Sequence, residues 1–189
     1  FAPADEKRAA EIRARYGLTG RNNIGIIARL SVVKGHEVLI DAFPHILRRV
    51  PDARLVIAGQ GPREKFLKQR VSDLGLTERV RFLSVHGETE SVLPAFDCFV
   101  LPSRQEGLGL SVMEAQAAGL PAVASNVGGI PDIVQHRVTG LLVPPGDPAR
   151  LAEAVVLVLT DRSLSCRLSE QARKTAVERY GVDRMADSV

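Results

Sequence analysis

The chain has no tryptophan, six phenylalanines, two tyrosines, two cysteines and two methionines. So few aromatic rings leave little on which bases could stack, which argues against a nucleic-acid binder. Cys98 and Cys166 lie far apart, with no Cys-x-x-Cys and no histidine at metal-ligating spacing, so neither a zinc site nor a disulfide framework is indicated. Both thiols read as buried and free, in a reducing compartment such as the cytoplasm. The longest stretch without a formal charge, Ala115 to Pro131, is interrupted by glycine, proline and asparagine, which excludes a transmembrane helix. A secretory leader is missing too. The chain opens with Phe1 rather than Met and reads as a piece of something longer.

Charge of one sign is also scarce. Twenty-five basic against 22 acidic residues give +3, spread along the sequence, which favours anionic ligands only weakly. Hydrophobic residues at 45% and charged residues at 25% are ordinary globular values. A chain of 189 residues fits one domain able to bury about 70% of its unfolded surface. Several catalytic signatures are absent: Gly-x-Ser-x-Gly, a Walker loop, and the Asp-x-Asp that often holds a divalent cation on a nucleotide sugar. The four histidines, 36, 45, 86 and 136, form no ligand cluster and are expected in exposed or hydrogen-bonded loop positions.

What the sequence does have is alternation. Apolar runs of four to six residues at 23–28, 54–58, 80–83, 98–101, 121–124 and 140–143 predict strands buried on both faces. Between and around them, helical spacing predicts helices over 5–16, 36–50, 63–74, 90–96, 111–118, from 130, and over 148–159 and 163–180. Pro44 is expected to kink the second of these or shift its start. The pattern is that of βαβ units. It predicts an α/β fold, a Rossmann-like parallel sheet of about six strands with helices on both faces. Ligands in such sheets bind beyond the carboxyl ends of the strands, so the post-strand loops are where chemistry is sought.

Three of those loops carry candidates. After the first strand, Arg29 and Lys34 could clamp a diphosphate with help from helix N-terminal amides, and Gly35 permits close approach. Otherwise they are solvated surface cations. After the fourth strand, Glu106 and Glu114 flank a loop with Gly107 and Gly109, and Glu114 is expected in the first turn of the next helix. Carboxylates there suit the vicinal hydroxyls of a ribose or hexose; alternatively Glu114 only complements the helix dipole, worth about 0.3–1 kcal/mol. The third loop, Asn126 to Asp132, holds Gly128 and Gly129, which fit a ligand-facing turn or a tight connection equally well. Gly59-Gln60-Gly61-Pro62 lacks the third glycine of a dinucleotide fingerprint and follows the second strand, which argues against an NAD domain.

Taken together, a series of short markers resembles the C-terminal, donor-binding half of a GT-B glycosyltransferase of family four, also called group one. The markers are Ala28-Arg29-Leu30, Lys34-Gly35, Pro51 to Leu55, Gly59 to Pro62, Val80 to Leu83, Asp97 to Ser103, Gly128 to Asp132 and Thr139 to Val143. The most diagnostic is the Glu106-to-Glu114 segment, with seven residues between its glutamates. The resemblance implies retaining transfer of a sugar from a nucleotide diphosphate sugar to an acceptor (glycan, lipid or small molecule), with no metal and no other cofactor. It implies that Arg29 and Lys34 hold the diphosphate and that Glu106 contacts the donor sugar. Glu114 would bind the ribose, and the amides of Gly107, Leu108, Gly109 and Leu110 the sugar and phosphate. Leu83 and Val85 would lie near the base, although Ser84 stands where the family usually has glycine.

It further implies that the acceptor-binding N-terminal domain is supplied elsewhere, in cis or in trans. Residues 1–189 alone would then bind nucleotide without turning over, with no nucleic-acid partner and any membrane contact made through the other domain. Alternatives are a non-catalytic nucleotide-binding or partner-docking module, and a GT-B phosphorylase or epimerase. None of the five lysines sits in the context a pyridoxal-dependent phosphorylase requires.

Overall fold

The structure is a computed structural model that describes residues 6–18, 20–84 and 91–180. Six strands form one sheet: β1 (Asn23–Ile27), β2 (Arg54–Ala58), β3 (Val80–Leu83), β4 (Cys98–Leu101), β5 (Ala122–Ser125) and β6 (Leu141–Val143). Every pairing is parallel, and the spatial order is β3-β2-β1-β4-β5-β6. The helices are α1 (Glu6–Arg15), α2 (His36–Leu47), α3 (Glu64–Asp73), α4 (Leu110–Ala117), α5 (Ile130–Ile133), α6 (Pro148–Thr160) and α7 (Arg162–Tyr180).

The apolar runs are continuous because both faces are covered. Ile24, Ile26, Leu55, Ile57, Val100 and Val123 point to one core under α2, α3 and α6. Ile27, Val56, Phe99, Leu101, Ala122 and Ala124 point to a second core under α1, α4 and α5. This period of two explains why every residue of β1, β4 and β5 is buried. Gly25 lacks a side chain because a Cβ there would lie 2.1 Å from the Phe96 ring. Asp41 of α2 accepts two bonds from the Arg70 guanidinium, at 2.5 and 2.6 Å, and ties α2 to α3.

Four expectations change. Pro44 neither shifts nor ends α2: burial of Leu39, Ile40, Ala42, Phe43 and Ile46 outweighs the one backbone bond that proline removes. The helix expected over 90–96 is, in its described part, a single 3₁₀ turn at Leu93–Ala95. Cys98 is buried, and burial foremost, with Asp97 adding to it, pushes its thiol pKa up. Cys166, by contrast, is exposed on α7. His36 is not a loop histidine; it opens α2 and is 1% exposed. No described helix is long and apolar enough to cross a membrane.

Candidate functional site

The strand order reverses between β1 and β4, and in open α/β sheets ligands bind at such a reversal, beyond the carboxyl ends of the strands. Both loops lead into helices of the same design. α2 follows Gly35 at φ 66°, α4 follows Gly109 at φ 60°, and neither N-terminus is capped by a side chain. Their first amides are thus left for water or a ligand, and the partial positive ends of two helices converge on one place. The contrast is α6, where the Asp147 side chain accepts from the Arg150 amide.

The two loops are locked together. The Arg104 N–H donates to the Val33 carbonyl at 2.7 Å, and a Cβ on Gly35 would lie 2.0 Å from the Pro102 carbonyl oxygen. At this junction Lys34 Nζ donates to Glu106 Oε2 at 2.6 Å. Ser103, fully buried, donates its hydroxyl to the same oxygen at 3.1 Å. The structure therefore joins Lys34 and Glu106, which are 72 positions apart in sequence. Further along the rim, Glu37 on α2 reaches Arg104 at 3.4 Å and Arg63 at 4.0 Å.

Arg29 follows the end of β1 in the same loop and is exposed. Leu108 and Leu110 are 70% and 63% exposed. Among the described residues, no loop hydrogen bond uses the amide of Gly107, Leu108, Gly109 or Leu110 as donor. Glu114 is half-buried, and because α4 starts at Leu110 it lies in the second turn. Simple complementarity to the helix dipole fades beyond the first turn, so that explanation of Glu114 loses force. Leu83 ends β3 at the sheet edge, half-buried. Val85 lies outside the described residues, as does His86.

What reading the sequence missed is the scaffolding. A Cβ on Gly128 would lie 1.8 Å from the Glu106 carbonyl oxygen, and one on Gly129 would lie 2.1 Å from that of Gly107. The Gly129 amide donates to those same carbonyls at 3.3 and 3.1 Å. The third loop is thus a tight connection that props the Glu106 loop from behind. Gly59 and Gly61 do the same for the first loop, against the Ala28 and Leu30 carbonyls. A glycine pair three positions before an acidic residue gives no hint of which backbone it will touch.

His36 is the other surprise. Neither ring nitrogen has a hydrogen-bond partner among the described residues. Burial foremost, then the Lys34 ammonium, lowers its pKa to about 4; the Ser31 backbone opposes both without meeting good hydrogen-bond geometry. His45 pairs with Arg48, and His136 Nδ1 accepts from the Leu142 amide at 3.0 Å.

The geometry can hold an anion between two helix ends and a lysine, with a carboxylate beside it to accept from hydroxyls. Known proteins share this arrangement of the chain. The family model described as "Glycosyl transferases group 1" matches residues 9–175. A GDP-mannose-dependent alpha-(1-6)-phosphatidylinositol monomannoside mannosyltransferase of Mycobacterium tuberculosis is 37% identical over 98% of this chain and 50% of its own length. Anabaena HepE in complex with UDP-glucose superposes with a TM-score of 0.91 at 27% identity, over 98% of this chain and 52% of that one. The C-terminal domain of a group 1 family protein from Francisella tularensis superposes with a TM-score of 0.86 at 27% identity, over 96% of both chains. The chain spans about half the length of the curated relatives it matches.

Proposed function

The chain belongs to the group 1 glycosyl transferases, and on that premise we propose that its crevice binds the nucleotide-sugar donor of a retaining transfer. The observation that carries this reading is the Lys34–Glu106 pair, set where the uncapped ends of α2 and α4 converge. Lys34 and Arg29 hold the diphosphate. When the bond from sugar to diphosphate breaks, negative charge grows on the departing phosphate oxygen, and these cations with the helix amides stabilise it. The same cations take the part a divalent metal plays elsewhere, so transfer proceeds without one. Glu106 accepts from hydroxyls of the donor sugar, and the amides of Gly107 to Leu110 meet sugar and phosphate. Glu114 accepts from the ribose hydroxyls. Leu83 and Val85 border the base.

Support for a nucleotide diphosphate as ligand comes from HepE, solved with UDP-glucose, and from the mycobacterial relative, described as GDP-mannose-dependent. These two differ in base, so the base is left to experiment. The acceptor half is supplied by chain beyond these residues or by a partner, and residues 1–189 alone bind donor while transferring little or no sugar.

A thermal-shift panel of UDP, GDP and ADP on wild type and Glu114→Ala tests this. Ligand at about 100 times its dissociation constant adds roughly 2.7 kcal/mol. For a domain of this size the midpoint should rise by about 5–10 °C. One diphosphate shifting wild type and failing to shift the variant supports the site; no shift with any of the three counts against it.

A further inference from the structure

Glu106 is held more firmly than binding a sugar hydroxyl requires. Lys34 and Ser103 both donate to its Oε2, at 2.6 and 3.1 Å, and its side chain is only 9% exposed. Its backbone cannot retreat either, because Gly128 packs against its carbonyl and the Gly129 amide donates to it. A fixed carboxylate therefore sits beside the cation a diphosphate would seek, in a place where water and salt screen it weakly.

We propose that Glu106 is a specificity-determining residue that separates, by charge, a nucleotide sugar from the nucleoside diphosphate left after transfer. The inference rests on the donor-site reading above. In a nucleotide sugar the terminal phosphate is a diester with a single negative charge, and the sugar's hydroxyls can donate to Glu106. Once the sugar has gone, that phosphate is a monoester carrying roughly 1.5 to 2 charges at pH 7. No hydroxyl then stands between it and the carboxylate. Lys34, already shared with Glu106, neutralises only part of the added charge. Glu106 thus weakens the spent product relative to the donor and favours its release.

The test is calorimetric titration of the 189-residue chain with UDP, GDP, UDP-glucose and GDP-mannose, in wild type, Glu106→Gln and Glu106→Asp. Glu106→Gln should bind the matching diphosphate roughly 3–10-fold more tightly and the matching nucleotide sugar more weakly. Glu106→Asp keeps the charge and should keep the weak diphosphate binding, which a general loss of packing would not reproduce. If wild type binds nucleotides and Glu106→Gln weakens both kinds, or leaves the diphosphate unchanged, the charge proposal is wrong and the donor site stands. If wild type binds none of the four, both fall.

Discussion

Gly107 and Gly128 lie on loops that touch, yet their surroundings differ. A Cβ on Gly107 meets nothing within 4 Å, whereas one on Gly128 would collide with the Glu106 carbonyl at φ 52°. Gly107→Ala should therefore leave the melting midpoint within about 2 °C of wild type while weakening nucleotide-sugar binding, because the open space it fills is where the proposed donor site puts the ligand. Gly128→Ala should cost about 2 kcal/mol and lower the midpoint by about 4–8 °C, since both strain and a backbone clash are imposed. Differential scanning calorimetry separates the two. The reverse order would mean that the loop is not propped as described. Lys34 and Glu106 were legible in the sequence as charges in loops after strands, and the structure pairs them. Ser103 and Gly128 were not, because their roles depend on which backbone folds against them.

His36 makes a second prediction at this scale. Its folded pKa of about 4 lies below the ordinary 6.5, so the unfolded chain takes up its proton first as pH falls. Its contribution to stability is intact above pH 6.5, declines below it and is lost by about pH 4, a change on the order of 3 kcal/mol. Urea melts across that range should show the loss, and His36→Phe should flatten it; an unchanged slope would mean that folding does not lower the His36 pKa.

At the scale of elements, α2 carries the clearest internal conflict. Pro44 removes one helical bond in an element whose apolar spacing is otherwise helical, and packing against α6 holds the helix. Pro44→Ala should restore that bond and stabilise by about 1 kcal/mol, some 2–4 °C, less what proline gains by stiffening the unfolded chain. A lower midpoint would show that the proline's stiffening of the unfolded chain outweighs the restored bond. The strands were legible because burial on both faces writes itself as an unbroken apolar run. Helix ends were less so: α4 begins at Leu110, set by the left-handed Gly109 wedged against Ile130, a tertiary contact that no local pattern reveals.

At the scale of the molecule, the described residues fold about two cores, one on each face of a sheet whose strand order reverses between β1 and β4. Supplied with a nucleotide sugar and no other domain, the chain should bind and not turn over. Sugar transfer by residues 1–189 at the rate of a full-length relative would contradict the division of labour proposed for it. The central claim concerns place, and a crystal structure of the chain with its tightest nucleoside diphosphate tests that directly. The account predicts the diphosphate between Lys34 and the N-termini of α2 and α4. Density for it instead in the groove between α2 and α6, beside Arg48 and Arg49, would contradict the account.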